Sequence, residues 1–87
     1  MSDKPALEFP TDFPIKVMGR QDPQLAAVTR EIIERHAGPV AADQVRERPS
    51  SDGNFLAITY LIQARSQAQL DSIYCELTAC KLVLMAL

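Results

Sequence analysis

Tryptophan is absent from this chain of 87 residues, histidine occurs once and cysteine twice. A metal site gets little from such a set. His36 has no second histidine to work with, and Cys75 and Cys80, five apart on one stretch of helix, point about 140° away from each other around the axis. That divergence also excludes a close redox pair and suits buried or half-buried thiols. Two cysteines are too few for a secreted domain held by disulfides. A basic excess is missing as well: 9 Lys and Arg stand against 11 Asp and Glu, a net charge of −2, whereas nucleic-acid binders usually carry surplus cations. The longest apolar run, Leu82 to Leu87, falls far short of the ~20 residues a membrane span requires. The opening Met1-Ser2-Asp3-Lys4-Pro5 has no apolar core for a signal peptide. A cytoplasmic protein is expected, with neither membrane nor nucleic acid as its partner. The three glycines, Gly19, Gly38 and Gly53, stand alone, so no phosphate-cradling loop is present.

What remains is a chain 47% hydrophobic, apolar enough to fold and long enough for one domain. Residues 1–12, with Pro5 and Pro10, read as an extended or mobile lead-in whose Leu7 and Phe9 could anchor it. Phe13 to Gly19 reads as a strand, with Ile15 and Val17 on one face, Lys16 and Met18 on the other, and Gly19 as its break. Asp22-Pro23 opens a helix: the aspartate caps, and proline at the first helical position loses no bond. Leu25, Val28, Ile32 and Ile33 form its apolar stripe to about His36, and Gly38-Pro39 stops it. Val40 to Arg48 reads as a solvated edge strand with Val45 turned inward, and Pro49 to Asn54 as a turn.

Phe55 to Ala64 gives the clearest strand. Leu56, Ile58, Tyr60 and Ile62 alternate with Phe55, Ala57, Thr59 and Leu61. Ser66 and Gln69 form a capping box for a second helix ending near Cys80, with Leu70, Ile73, Tyr74 and Leu77 inward. Lys81 to Leu87 reads as a last strand, with Val83, Met85 and Leu87 on one face and Leu82, Leu84 and Ala86 on the other. The order β-α-β-β-α-β with right-handed crossovers predicts an α+β ferredoxin-like sandwich over residues 13–87. Its four-stranded antiparallel sheet has two helices on one face, the first and third strands central. Leu56, Ile58, Ile32 and Leu77 are predicted core.

Several segments together resemble the YbeD-like family, small bacterial proteins grouped as domain of unknown function 493. They are Leu7-Glu8-Phe9-Pro10, Phe13, Lys16-Val17-Met18-Gly19, Arg35-His36-Ala37, Pro49 to Phe55, Ile73-Tyr74-Cys75-Glu76-Leu77 and the Val83, Met85, Leu87 ending. The resemblance covers nearly the whole chain. It implies a fold similar to ACT domains, which bind small ligands and regulate enzymes, supplies no catalytic residues, and hints at lipoate metabolism through gene neighbourhood. Leu84 departs from it, standing where relatives tend to carry a polar or basic residue.

For chemistry, His36 at a helix C-terminus reads as a structural cation. Ser50 and Ser51 lack a nucleophile context and suit bonds to nearby backbone. The carboxylates are scattered over helix faces and loops. Two candidate sites survive. Met18, Gly19 and Arg20, leading to the helix at Asp22, could line a small-molecule site of the ACT type, with Asp22 working against an anion. Phe55, Ala57, Leu61, Leu82 and Leu84, with Met18, could form an apolar patch on the open sheet face for a protein partner or a second copy of the chain. RNA recognition would need several stacked aromatics, and Phe55 alone qualifies. The expectation is a non-enzymatic binding or regulatory module with no cofactor and no metal.

Overall fold

The computed structural model describes residues 8–87. In chain order it has β1 (Thr11–Arg20), α1 (Pro23–Ala37), a 3-10 turn (Ala42–Gln44), β2 (Val45–Pro49), β3 (Phe55–Ala64), α2 (Gln67–Ala79) and β4 (Val83–Ala86). The sheet is antiparallel in the order β2-β3-β1-β4, with β1 and β3 central, as expected of a ferredoxin-like sandwich. Leu7, proposed as an anchor, lies outside the described residues. Phe9 does pack against the core.

Strict alternation in β1 and β3 creates that core. Ile15 and Val17 of β1 and Leu56, Ile58, Tyr60, Ile62 and Ala64 of β3 are buried on the helix side. Leu25, Ile32 and Ile33 of α1 and Leu70, Ile73 and Leu77 of α2 close over them. The four predicted core residues are all buried. Burial of one such side chain contributes about 1.5–3 kcal/mol. One polar pair sits inside: the Thr29 and Tyr60 hydroxyls lie 2.7 Å apart, and Thr29 also donates to the Leu25 carbonyl at 2.7 Å. Burial raises the pKa of Tyr60, opposed by the Thr29 bond.

Both predicted caps form. Asp22 accepts from the Gln24 amide at 2.8 Å and Ser66 from the Gln69 amide at 3.1 Å. The Gln69 side chain, however, takes the amide of Arg65 rather than that of Ser66, and donates to the His36 carbonyl at the end of α1. The capping residue thereby also ties the two helices together.

Five boundary or phase expectations change. β1 begins at Thr11 and so takes in the end of the lead-in, because Thr11 and Asp12 pair with Ala64 and Gln63. Pro14 does not interrupt it. Lys16 exchanges both backbone bonds with Leu87, so Pro14, two residues back, turns its nitrogen to the β4 side, beyond the last ladder bond there. Gly19 does not break β1 either, pairing with both Leu56 and Val83. β2 starts at Val45, not Val40: Val40 is buried, its amide donates to Glu34 and its carbonyl accepts from Arg30, so α1 claims the groups a ladder would use. Cys75 is exposed, opposite the Ile73 and Leu77 stripe, and only Cys80 is half-buried.

The fifth change is in β4. The register shifts between Met18 and Gly19: Ala86 faces Val17, Met85 faces Met18, and Val83 faces Gly19. Leu84 is the extra residue of this bulge. Val83 and Ala86 therefore turn to the core, while Met85 lies beside Met18 on the open face and Leu87 follows beside Lys16. The even alternation expected across Lys81 to Leu87 does not hold.

Candidate functional site: the open face of the sheet

Among the described residues no element covers the other face, so its composition follows from strand parity. Across β3 and β1 the outward pairs are Phe55 with Arg20, Ala57 with Met18, Thr59 with Lys16, Leu61 with Pro14 and, at the far end, Gln63 with Asp12. β2 adds Arg48 beside Ala57 and Arg46 beside Thr59, and β4 adds Met85 beside Met18. The face thus mixes two kinds of side chain. Arg46 and Arg48 on β2 and Lys16 and Arg20 on β1 are basic; Phe55 and Leu61 on β3, Met18 on β1, and Met85 and Leu87 at the β4 edge are apolar. Phe55, Leu61, Leu84, Met85 and Leu87 are the exposed large hydrophobic residues among those described.

Four of the chain's nine Lys and Arg stand on this face. Among the described residues, none of the four forms a salt bridge; the pairs present join Arg30 to Glu34, and Arg35 and His36 to Glu31 and Glu76, all on the helix layer. The nearest carboxylates lie at the rim: Glu47 on the inward phase of β2, Asp43 before it, Asp12 at the far end and Asp22 capping α1. A sequence with net negative charge therefore places an unpaired basic cluster on one surface. The separate stretches 16–20 and 46–48 meet only through β3, which is why summed charge concealed it.

Three shallow hollows tile the face: about 370 Å³ lined by Lys16, Arg46, Glu47, Arg48, Ala57 and Thr59; about 180 Å³ around Met18, Arg48 and Phe55; and about 210 Å³ around Pro14, Arg46 and Leu61. The Ser50 turn holds Phe55 in place. Ser50 Oγ accepts from the Phe55 amide at 3.0 Å and donates to Asp52 at 2.6 Å, and Asp52 accepts the Asn54 amide at 3.1 Å. Ser50 thus makes the backbone bond expected of it, and these bonds hold the Asp52 carboxyl below its ordinary range, the Ser50 hydroxyl most. The Arg20 guanidinium lies 6.0 Å from the centre of the Phe55 ring, at the limit of a cation–π contact.

The structure divides the sequence-predicted site residues. Phe55, Ala57, Leu61 and Met18 share the open face, and Leu84 stands at its β4 edge near Arg20. Leu82 is half-buried against the core in the turn before β4. Gly19 turns inward, and the room left by its missing side chain is already filled: a Cβ there would meet the Leu82 carbonyl oxygen at 2.4 Å and Leu25 Cδ1 at 2.9 Å. The nearby hollow between Arg20, Asp22, Lys81 and Leu84 is about 120 Å³, below the ~300 Å³ where small-molecule pockets begin. A further hollow, about 600 Å³, is lined only by α1 residues and has no opposing wall.

His36 closes the helix layer. Its Nε2 and the Arg35 guanidinium both meet the Glu76 carboxylate, joining the end of α1 to α2. The His36 bond, ahead of the charge of Arg35, holds Glu76 below its usual range. Among the described residues no three His, Cys, Asp or Glu side chains are grouped to hold a metal ion, and no helix is long and apolar enough to cross a membrane.

Comparison with known proteins agrees with the fold and the resemblance read from the sequence. The family described as "Protein of unknown function (DUF493)" matches residues 4–87. A UPF0250 protein of Paraburkholderia phytofirmans is 41% identical over 80 residues, covering 92% of this chain and 90% of the relative. UPF0250 protein NMC1112 of Neisseria meningitidis is 40% identical over 81 residues, with 93% and 89% covered. Among solved structures, protein HP0495 from H. pylori superposes with a TM-score of 0.79 at 15% identity, covering 99% of this chain and 90% of that one. The C-terminal domain of the MgtC protein from Mycobacterium tuberculosis gives 0.59 at 18% identity, covering 94% and 89%. At these identities the structural likenesses establish the fold alone.

Proposed function

The chain belongs to the DUF493 family of proteins of unknown function, and we propose that it is a non-enzymatic regulatory module that docks a protein partner on the open face of its sheet. One observation carries this reading: exposed Met85, Leu87, Leu61 and Phe55 lie beside cations on a surface that no helix covers. Apolar side chains in that number, rimmed by polar groups, are typical of a docking surface. The one histidine is engaged with the Glu76 carboxylate between the helices, which suits a structural role. The YbeD-like resemblance suggests enzymes of lipoate attachment, in the cytoplasm, as the place to seek the partner. A small-molecule sensor at Gly19 finds little support, since the chain itself fills that space.

The test compares proteins captured by the native chain with those captured by Met85→Lys. The substitution lies on an exposed edge and leaves the core untouched. The reading requires that the native chain retain a defined partner which the variant loses. Identical captured sets would place the working surface elsewhere.

A further inference from the structure

We infer that the occupant of the open face is an acidic amphipathic protein segment, with carboxylates meeting Lys16, Arg20, Arg46 and Arg48 and apolar side chains meeting Met18, Met85 and Leu87. This rests on the docking reading above and names the chemistry of the partner.

Charge complementarity decides among the candidates. A second copy placed face to face would set this basic cluster against itself, and like charges across an interface are strongly unfavourable. A second copy offering its helix layer fits poorly too, because Glu31, Glu34 and Glu76 there are already paired with Arg30, Arg35 and His36. A single-stranded RNA would satisfy the cations but needs two or three aromatics to stack its bases. The face offers only Phe55, 38% exposed, already attended by Arg20. The central outward positions of β1 are Lys16 and Met18, and Met18, Met85 and Leu87 would find no use against a phosphate backbone. An acidic segment with one apolar side satisfies the cations and the apolar side chains at once.

The size of the face sets the strength. Four strands at ~4.8 Å spacing and about six residues at ~3.3 Å rise give a footprint of about 400 Å². That is roughly half the ~800 Å² per partner of a standard stable interface. The contact is therefore weak, quickly reversible and sensitive to salt, as suits a regulatory encounter.

Three probes test this on the purified full chain, followed by amide chemical shifts and fluorescence anisotropy: a designed helical peptide with Glu on one side and Leu on the other, the same peptide with every Glu replaced by Gln, and a short oligouridylate. The acidic peptide should shift amides of β1, β3 and β4. It should bind about tenfold more tightly than the Gln peptide, and lose about tenfold between about 0.05 and 0.5 M salt. The double change Arg46→Glu with Arg48→Glu, on the exposed edge strand, should weaken it at least about tenfold with an unchanged melting curve. Equal binding of the Gln peptide on the same face would sink the acidic partner and leave the docking reading standing. Shifts confined to the helices, or no binding by either peptide, would overturn both. Binding of oligouridylate in preference to the acidic peptide would make the occupant nucleic acid and end the proposal.

Discussion

Neighbouring residues of β3 meet opposite fates. Ile58 is fully buried between the helices and β1, while Thr59, one peptide further, stands among Lys16, Arg46 and Arg48. The inner face holds branched aliphatic residues and one satisfied hydroxyl pair; the outer face mixes cations with exposed methionine and leucine. Electrostatics divide the same way. The ion pairs seen among the described residues belong to the helices, and the cations of the open face take part in none of them. One face is finished by the chain itself, and the other is the one on which we propose that a partner docks. Changes to the inner face should therefore cost stability, and changes to the outer face should cost binding.

The largest effect should come from Ile58→Ala. Its side chain is fully buried at the centre of the sheet, and removing it leaves a cavity as well as losing transfer energy. The expected cost is about 2–4 kcal/mol, much of the ~5–10 kcal/mol a domain this small can have. Chemical denaturation measures it. A loss under about 0.5 kcal/mol would mean that the two faces have been assigned the wrong way round.

Next comes Gly19→Ala, expected to cost about 1–3 kcal/mol by overpacking. The added methyl would press on the Leu82 carbonyl, which is backbone and cannot swing away, and on Leu25. This change separates the inward reading of Gly19 from a ligand site. A vacant pocket would accept the methyl with no change in melting temperature.

A smaller effect concerns acid. Glu34, Asp52 and Glu76 all have lowered pKa values, and all lie on the helix layer or the Ser50 turn. Asp52 is held chiefly by Ser50, Glu34 by the Val40 amide and Glu76 by His36. A depressed carboxyl contributes stability above its unfolded value and loses it as pH falls through the folded one. Stability should thus decline below about pH 4.5, and Glu76→Gln should flatten part of that decline. An unchanged acid limb in the variant would show that the Glu76 bridge contributes nothing in solution.

How much of this the sequence disclosed differs by element. Phe55 to Ala64 was legible because β-branched and aromatic residues crowd a run bounded by turn residues, with Leu56, Ile58, Tyr60 and Ile62 at every second place, and both helix starts were legible because Asp22 and Ser66 are capping residues in capping places. β4 was not. Val83, Leu84, Met85, Ala86 and Leu87 are all apolar, so hydropathy carries no phase, and a single bulge residue reverses the faces of everything after it. Val40 was misjudged for a different reason: side chains of Arg30 and Glu34, ten and six residues earlier, occupy its backbone groups. The basic cluster was readable in principle. Lys16 alternates with inward Ile15 and Val17, and Arg46 and Arg48 alternate with inward Val45, so placing the strands side by side would have assembled it. Net charge, a sum over the whole chain, concealed it.

The smallest effect on stability, and the sharpest test of the contrast, should come from Leu84→Lys. Leu84 is 58% exposed and is the extra residue of the β4 bulge. It has no opposite partner in the β1 ladder and little contact to lose, so the change should fall within about 0.5 kcal/mol of zero. Its surroundings nevertheless make it informative. It borders a hollow shared with Arg20 and Lys81, and a lysine there would add a cation at the apolar β4 edge of the face. If the outer face works through both its cations and its apolar side chains, the variant should melt with the native chain and still lose the apolar share of partner binding. Attraction to a purely anionic surface should hold or rise. Thermal melts together with binding to the acidic amphipathic peptide decide the matter. A melting temperature lowered by several degrees would mean that Leu84 is packed as core, and the division between the two faces would fail at that edge.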